Sequence, residues 1–290
     1  MLQKLRFLVI GYGSIGEKHY QGLKKFSSDI DIVSKHLSSK NAFKDINEIE
    51  DLNHYSHIFI CNNSSEHENT YHKISRYGFN GTLFIEKPSL IYKESSIKRV
   101  YVGYDLRFSN VYKYAVKNFQ AKEIRYINIY CGQHLSQWRT RDYRETSSSS
   151  IKAGGGVIND LSHELDFMLQ FINDPRIDSS QRLHMLDEIE TESYFHGNFS
   201  SRSTNTIVDL TINYHDHIPS RYFSIHTDDS FIRGDFLSNE VNHDDKVIKL
   251  QEVNMLSDLH EDLFGEKKYI STLQDSMKVD RLIKNIKEHQ

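Results

Sequence analysis

The sequence lacks features that would place it in several large classes of protein. No stretch of its 290 residues approaches the roughly 20 apolar residues of a membrane-spanning helix. It has no long lysine/arginine run, and 36 basic against 40 acidic residues give a formal net charge of −4, which argues against a nucleic-acid binder. Because Met1–Arg6 leads straight into a strand-like run, we expect no signal peptide and a soluble, cytoplasmic protein without membrane or nucleic-acid partners.

Cysteine is scarce as well. Only Cys61 and Cys131 occur, both inside apolar runs typical of strands, so we expect two buried free thiols in a reducing compartment. The sixteen histidines are scattered, and no His-x3-His or Cys/His cluster has the spacing of metal ligands. We therefore predict no metal site.

The N-terminal part of the chain alternates short apolar strands with helical patterns, which predicts a parallel α/β sheet. The predicted strands are Phe7–Ile10, Ile30–Val33, Ala42–Phe43, Ile58–Cys61, Thr82–Ile85 and Arg99–Val102. Helices are predicted after the first strand and around Glu66 to Tyr77. Residues 34–41 and 89–98 are too few for a crossover helix, since parallel strands normally need about a dozen connecting residues. We expect loops or single turns there.

Beyond residue 103 the strands become longer. They are predicted at Ile124–Cys131, Glu192–Phe199, Thr206–Tyr214, Arg221–His226 and Val247–Val253. In Thr206–Tyr214 apolar residues alternate with more polar ones, which is typical of a sheet with one buried face. Helices are predicted at Val157–Ile172 and Thr272–Glu288. The pattern predicts a C-terminal α+β domain with a mostly antiparallel open sheet.

A glycine motif follows the first strand and opens the first helix. It reads Gly11-Tyr12-Gly13-Ser14-Ile15-Gly16, which is the strand–turn–helix context that a dinucleotide-binding fingerprint requires. Gly11 allows the tight turn, Gly13 lets the backbone approach a pyrophosphate, and Gly16 lets helix and strand pack closely. The helix N-terminus stabilises the phosphate charge. A glycine turn without a ligand is the alternative. We assign a trimmed Rossmann domain to residues 1–103 and the α+β domain to 104–290, with the last helix as a candidate to pack back on the first domain.

The end of the second strand bears on cofactor choice. In NAD-binding domains an acidic residue about 20 residues after the glycines binds the ribose 2′-hydroxyl. Here the strand ends in Val33-Ser34-Lys35, with no carboxylate. A hydroxyl and a cation suit a 2′-phosphate, so Ser34 and Lys35 favour NADP over NAD. If Lys35 turns to solvent, the preference disappears.

Two further strand ends carry polar side chains toward the same edge of the sheet. Cys61-Asn62-Asn63 and His67 follow one strand and can line the ribose and nicotinamide crevice, although Ser64 or Ser65 also reads as a simple helix cap. Glu86-Lys87-Pro88 follows the next strand. A lysine at the carboxyl end of a strand points into the crevice where such sheets bind ligands, and the proline ends the strand sharply.

The segment Gly154–Asp166 has three glycines followed by a helical pattern. If the helix begins near Val157, Asp160 and His163 lie three residues apart on one face. A histidine with a carboxylate partner holds one tautomer and exchanges a proton near neutral pH. A structural hydrogen bond between the two side chains is the competing interpretation.

Together these segments resemble the Gfo/Idh/MocA oxidoreductases, in the right order over most of the chain. The resemblance rests on Gly11–Gly16, Glu86–Pro88, Val102–Phe108 and Gly154–Asp166. It implies a Rossmann domain, an open-sheet α/β domain, NAD(P)-dependent oxidation or reduction of sugars, cyclitols or related compounds, and a homodimer or homotetramer formed through that sheet.

The resemblance also implies roles for individual residues. Lys87 matches the lysine near the nicotinamide and reacting carbon, and His163 matches the acid/base histidine. Asp160 matches the preceding aspartate, although many members have three residues between that aspartate and the histidine where this chain has two. Tyr104 and Arg107 match the stretch that leads into the substrate cleft.

The segment Gly132–Arg144 is similar to a subset of the family associated with surface-sugar synthesis. It contains the only tryptophan, Trp138, near several arginines, a composition that suits a sugar face and an anionic group. We name Trp138, Arg141, Tyr143 and Arg144, with Tyr104, Arg107 and His163, as candidate substrate-binding residues; a solvated basic loop is the alternative.

The sequence predicts an NAD(P)-dependent dehydrogenase or reductase acting on a sugar or nucleotide sugar. Lys87, His163 and Asp160 are the candidate catalytic residues. The candidate cofactor-binding residues are Gly11, Gly13, Ser14, Ile15, Gly16, Ser34, Lys35, Cys61, Asn62, Asn63, His67, Glu86 and Lys87. A non-catalytic dinucleotide sensor or accessory subunit is the alternative, and a third hypothesis is elimination or epimerisation with a recycled cofactor.

Overall fold

The computed structural model describes residues 5–119, 123–138 and 142–289. The strands, in chain order, are β1 Phe7–Ile10, β2 Ile30–Val33, β3 Ala42–Phe43, β4 His57–Ile60, β5 Thr82–Ile85, β6 Arg99–Val102, β7 Tyr126–Gly132, β8 Pro175–Leu183, β9 Tyr194–Ser201, β10 Ile207–Asn213, β11 Ser220–His226, β12 Phe231–Asp235, β13 Glu240–His243, β14 Lys246–Lys249 and β15 Ser271–Thr272. The α-helices are α1 Ser14–Leu23, α2 His67–Arg76, α3 Asn110–Phe119, α4 Val157–Asp160, α5 His163–Met168, α6 Met255–Phe264 and α7 Leu273–Glu288. None of the helices in these ranges is long and apolar enough to cross a membrane.

The chain forms two compact units. One comprises the chain up to Tyr104 together with Leu256–Asp280, and the other comprises Asp105–Met255 together with the chain from Arg281 onward. The chain therefore passes between the units three times, the last time within α7.

The first unit contains a seven-stranded sheet in the order β15-β6-β5-β4-β1-β2-β3. Strands β1 to β6 are parallel, and β15 pairs antiparallel with β6. The strand order reverses between β1 and β4, and open α/β sheets bind ligands at the carboxyl ends of strands at such a switch point. The predicted parallel α/β sheet is confirmed. So are the trimmed connections, since residues 34–41 and 89–98, all described, contain no helix.

The second unit contains an eight-stranded sheet in the order β14-β13-β12-β11-β7-β10-β9-β8. Only β7 and β10 pair in parallel; the other neighbours are antiparallel. The predicted alternation in β10 is confirmed, because Val208, Leu210 and Ile212 are fully buried whereas Ile207 is 53% exposed. The mostly antiparallel sheet predicted from the sequence is therefore confirmed.

Several elements differ from the sequence-based expectation. The predicted helix Val157–Ile172 is wrong as a single element, because Leu161 (φ −99°, ψ 34°) leaves helical geometry and separates α4 from α5. Strand β8 was missed because its largely polar sequence, PRIDSSQRL, carries no apolar alternation. Helix α3 was missed although Val111, Ala115 and Phe119 recur at helical spacing and are buried.

A buried carboxyl group fastens α7 to the loop that follows β5. Asp280 accepts a hydrogen bond from the hydroxyl of Ser89 and another from the backbone N–H of Ile91 (3.1 Å). Its other oxygen, Oδ1, is buried and has no hydrogen-bond partner within the described part of the chain. Burial raises the pKa of Asp280 to about 6. The folded state therefore favours the protonated carboxyl.

This arrangement predicts a pH-dependent contribution to stability. Between about pH 4 and pH 6 the unfolded chain loses the Asp280 proton before the folded chain does, so unfolding becomes easier as pH rises, by about 3 kcal/mol in total. Asp280→Asn cannot ionise and should lack this slope, so the variant should gain stability over the wild type above pH 6. Urea unfolding between pH 4.5 and pH 7.5 measures the difference. Asp275→Asn, a partly exposed site on the same helix, is the control; a slope shared by wild type and Asp280→Asn would contradict the prediction.

Candidate active site

The turn between β1 and α1 is tightly packed at two of its glycines and open at the third. Gly11 has φ +92°, and a Cβ there would lie 2.5 Å from the backbone nitrogen of Asn62. A Cβ on Gly16 would lie 2.0 Å from the carbonyl oxygen of Gly11, whereas a Cβ on Gly13 would meet no atom within 4 Å. Two glycines thus allow close packing within the protein, and the third leaves open space at the N-terminus of the ten-residue helix α1. Ser14 and Ile15 form the first turn of that helix.

The carboxyl end of β4 lies directly beside this turn. Cys61 is a buried free thiol, and burial, with Glu86 nearby, raises its pKa. The side chain of Asn62 donates to Thr70 (3.0 Å) and Glu66 (3.2 Å), while its Oδ1 is buried without a partner among the described residues. Asn63 is exposed. The loop therefore offers an unused acceptor and an exposed amide at the switch point.

His67 lies beneath these residues at 1% exposure. Its two ring nitrogens lie 3.0 Å from the carbonyl oxygen of Asn62 and 2.9 Å from that of Pro88. Burial lowers the pKa of His67. The neutral ring has one N–H and donates to one of these two carbonyls, and its location between the loops after β4 and β5 is that of a positioning residue.

The end of β2 is basic. Ser34 is half-buried and Lys35 is exposed. Lys44 donates to the carbonyl oxygens of Leu37 (2.8 Å) and Lys35 (3.3 Å), which folds residues 35–44 into a compact loop. Residues 34–44 include no carboxylate.

The Glu86–Lys87 segment is held from the interior of the first unit. Glu86 Oε1 lies 2.7 Å from His19 Nε2, and His19 Nδ1 lies 2.8 Å from His260 Nε2. The backbone N–H of Glu86 donates to the carbonyl of Ile60 (2.9 Å), and Lys87 is half-buried. The sequence analysis did not identify His19 or His260 as part of the site, because no local pattern connects two residues so distant in the chain.

In the second unit, His163 and Asp160 lie on different helices. The interpretation that they share one helical face is wrong, because the break at Leu161 separates them. His163 is 8% exposed, and its Nε2 lies 3.4 Å from Asp105 Oδ1. Asp160 accepts a 2.7 Å hydrogen bond from the hydroxyl of Tyr214. Sequence reasoning missed Asp105 and Tyr214, which come from distant segments.

The glycine-rich loop before α4 is packed tightly. Gly156 has φ +110°, and a Cβ there would lie 2.4 Å from Glu192 Oε1. Asn159 donates to the carbonyl of Gly154 (2.8 Å) and accepts from Lys287 Nζ (2.9 Å). Burial lowers the pKa of Lys287, while Glu192 and Asp160 oppose that shift. The last turns of α7 therefore support the segment that carries Asp160.

Two predicted substrate residues are enclosed within their own units. Tyr104 is 1% exposed in the first unit. In the second, Arg107 makes a bidentate ion pair with Asp166 (2.8 and 2.6 Å), and Tyr112 donates to the same carboxylate (3.2 Å). A second ion pair, missed from the sequence, joins Arg221 Nε to the buried Glu164 (2.7 Å). The acidic members of the two pairs, Glu164 and Asp166, lie on α5, the helix that begins at His163.

The segment after β7 divides into an inner and an outer part. The ring of Trp138 packs edge-on against Tyr214 at 5.3 Å, and its Nε1 is buried without a partner among the described residues. Arg144 is exposed and pairs with Asp142 through several short contacts, including one of 2.9 Å. Tyr143 is half-buried. Arg141 lies outside the described residues.

In the part of the chain that the structure describes, no group of three or more histidine, cysteine, aspartate or glutamate side chains is arranged to hold a metal.

Solved structures share this fold over nearly the whole chain. GnnA, a UDP-N-acetylglucosamine 3-dehydrogenase from Acidithiobacillus ferrooxidans, aligns over 98% of this chain and 97% of its own, at 16% identity and TM-score 0.77. The WlbA dehydrogenase from Chromobacterium violaceum, solved with NADH and UDP-GlcNAcA, aligns over 99% and 93%, at 14% identity and TM-score 0.78. The myo-inositol 2-dehydrogenase from Lactobacillus plantarum aligns over 99% and 97%, at 17% identity and TM-score 0.74.

These likenesses establish the fold. No protein-family model and no curated protein matches the sequence. The chain has the two-part fold of Gfo/Idh/MocA-type dehydrogenases, as the resemblance of its motifs implied.

The ion pair of Arg107 leads to a prediction that separates structural from ligand-binding roles. Arg107→Met leaves Asp166 buried without its charge partner and should lower the unfolding free energy by about 3–5 kcal/mol. Arg144→Met, which removes an exposed arginine, should change it by less than about 1 kcal/mol. Urea unfolding followed by fluorescence gives both values. If Arg107→Met kept wild-type stability, the pair with Asp166 would not be the reason this arginine is present.

Proposed function

We propose that the protein is an NAD(P)-dependent oxidoreductase that transfers a hydride between nicotinamide and a hydroxyl-bearing or ketone carbon of a sugar, nucleotide sugar or related polyol. The observation that carries the proposal is the open space at Gly13, at the strand-order reversal of a parallel sheet. Solved dehydrogenases of the same fold support it, including one whose structure contains NADH and a UDP-sugar.

The dinucleotide would be held by backbone groups of the Gly11–Gly16 turn and by the loop after β4. The orphaned Oδ1 of Asn62 and the uncrowded Gly13 fit such a ligand. Bound there, it supplies the hydride chemistry, and the protein supplies orientation and proton management. We further propose NADP as the preferred cofactor, supported by the absence of a carboxylate in residues 34–44; Lys35, which is exposed, would have to turn toward the 2′-phosphate on binding.

We assign proton transfer to His163, which would take the hydroxyl proton as the substrate carbon is oxidised and return it in the reverse direction. Asp105, 3.4 Å from its Nε2, is placed to stabilise the imidazolium. General acid–base catalysis of this type typically contributes about 10²–10⁴-fold. Lys87 would stabilise the developing alkoxide, and Asp160, held by Tyr214, would orient the site.

The substrate and partner assignments follow from the second unit. We propose Trp138 as part of a surface for a sugar ring, with Tyr143, Arg141 and Arg144 as candidates for an anionic substituent. A homodimer or homotetramer is proposed through the outer face of the eight-stranded sheet, where Tyr130 stacks on Tyr222 at 5.2 Å. The two buried thiols are compatible with a cytoplasmic location.

The role of Lys87 is tested with Lys87→Met. Turnover should fall nearly to background because the methionine cannot stabilise an alkoxide, while NADPH binding should persist because Gly11–Gly16 is intact. Turnover is measured from nicotinamide absorbance with a panel of UDP-sugars and inositols, and binding from NADPH fluorescence. Lys93→Met, an exposed lysine of the following loop, is the control.

Unchanged turnover in Lys87→Met would remove Lys87 from the mechanism. If the wild-type protein binds NADPH but turns over no member of the panel, the result would favour the dinucleotide sensor. Turnover without net change in NADPH would favour the recycled-cofactor reaction.

The preference for NADP is tested with Lys35→Asp. Loss of a charged hydrogen bond to the 2′-phosphate is worth about 1.5–3 kcal/mol, so NADPH affinity should weaken about 10- to 100-fold. NADH affinity should stay equal or rise, because a carboxylate at the end of β2 accepts from the ribose hydroxyl. Fluorescence titrations give both dissociation constants. Lys98→Asp makes the same charge change at the amino end of β6, the opposite edge of the sheet; equal effects of the two variants would refute a specific contact.

A further inference from the structure

Two buried histidines extend inward from the end of β5. His19 of α1 is 0% exposed and His260 of α6 is 1% exposed. His260 Nε2 lies 2.8 Å from His19 Nδ1, and His19 Nε2 lies 2.7 Å from Glu86 Oε1. The three side chains form a continuous hydrogen-bonded series that ends one residue before Lys87.

The close approach of the two helices is built into the packing. A Cβ on Gly22 would lie 2.7 Å from His260 Cε1, so a larger residue in α1 would displace the imidazole. Aromatic rings surround the pair: Phe59 and Phe84 lie within 5.5 Å of the His19 ring, and Phe264 lies 6.5 Å from the His260 ring. In this enclosed setting each imidazole has few alternative hydrogen-bond partners.

The direction of the His19–His260 hydrogen bond depends on whether His19 is neutral or carries protons on both ring nitrogens. An ionised carboxylate only accepts, so His19 must carry a proton on Nε2 to donate to Glu86. In neutral His19 the remaining nitrogen, Nδ1, is then an acceptor, and His260 must donate its Nε2 proton. Burial lowers the pKa of His260 to about 3, which keeps that ring neutral. Every hydrogen bond in the series is then satisfied without a buried cation.

The Lys87 backbone is anchored on both sides. Before it, the Glu86 carboxylate is held by His19; after it, the Pro88 carbonyl lies 2.9 Å from the ring of His67. The backbone N–H of Glu86 also donates to the carbonyl of Ile60 (2.9 Å), so the tautomer of His19 governs the Glu86 side chain rather than its backbone hydrogen bond. Glu86 requires a proton on His19 Nε2, and the group that faces Nδ1 decides whether Nδ1 stays unprotonated, as the neutral tautomer requires.

We propose that His260 is a positioning residue, which donates to His19 Nδ1, fixes the His19 tautomer that holds Glu86, and thereby sets the location of Lys87. The kinetic consequence rests on the proposed oxidoreductase function; the tautomer and its dependence on His260 do not. In many active sites a third group orients the catalytic base through a hydrogen bond. Here His260 would orient His19 in the same way, and His19 holds the carboxylate of Glu86 beside Lys87.

Two variants distinguish the effect of the His260 Nε2 proton from the effect of the volume of the imidazole ring. His260→Phe keeps an aromatic side chain and removes the donor, and His260→Gln keeps an amide N–H near the position of Nε2. With the full-length protein, kcat should fall on the order of 10²-fold in His260→Phe, the effect of a small misplacement of a reacting group. It should recover to within a few-fold of wild type in His260→Gln. NADPH affinity should change little in either variant, since the Gly11–Gly16 turn is untouched.

A spectroscopic readout decides the proposal independently of turnover. Long-range ¹⁵N–¹H spectra of the wild type, with His19 assigned by His19→Gln, should show His19 protonated on Nε2 alone near neutral pH. In His260→Phe this signature should change or become a tautomer mixture. A wild-type His19 protonated on Nδ1 or on both nitrogens would overturn the proposal, even if His260→Phe fails to fold. So would a His260→Phe variant with the wild-type His19 signature. If the spectra show the expected tautomers but the wild-type protein transfers no hydride, the proposal for His260 stands and the proposed oxidoreductase function is rejected.

Discussion

The contact on which the first unit depends is the approach of the backbone at Gly11 to the backbone at Asn62. No side chain fits there, because a Cβ on Gly11 would lie 2.5 Å from the Asn62 nitrogen. The approach joins the ends of the two strands at which the sheet order reverses, and it leaves the helix N-terminus beside the loop after β4. A substituted residue 11 would separate these ends. The placement of the α1 N-terminus beside the loop after β4 follows from this one constraint.

Buried charge organises the second unit in a different way. Arg107 pairs with Asp166 and Arg221 pairs with Glu164, so both carboxylates that follow His163 on α5 are held by arginines from other segments. Such pairs add little net stability compared with apolar packing, but removing one partner leaves a costly buried charge. They therefore favour one arrangement of α5 relative to the sheet. The ion pair with Asp166 therefore explains why Arg107 is buried at this position without invoking a ligand.

Local sequence patterns predicted much of the fold, but they did not predict most of the side-chain contacts at the candidate site. Strands such as β1, β4 and β5 are short apolar runs, and the glycine turn has a mechanism that can be read from its spacing. The polar edge strand β8 has no such signal. His260, Asp105 and Tyr214 act through residues far away in the chain, so no window of sequence contains both members of each pair. Arg107 was assigned to substrate from its place in a motif, whereas its bidentate pairing with Asp166 is visible only in three dimensions.

Asp160 and His163, which are separated by two residues, lie on either side of a break in the helix at Leu161. On an unbroken helix Asp160 and His163 would share one face, and each would be the nearest hydrogen-bond partner of the other. The break at Leu161 instead gives each its own partner: Asp160 takes the Tyr214 hydroxyl, and His163 takes Asp105. Tyr214, whose pKa is raised by burial and by Asp160, remains a neutral donor. A carboxylate held by a neutral phenol is suited to orienting, and a histidine beside a partly exposed carboxylate is suited to carrying a proton. The break at Leu161 thus places the two proposed tasks, orienting and proton transfer, on separate pairs of side chains.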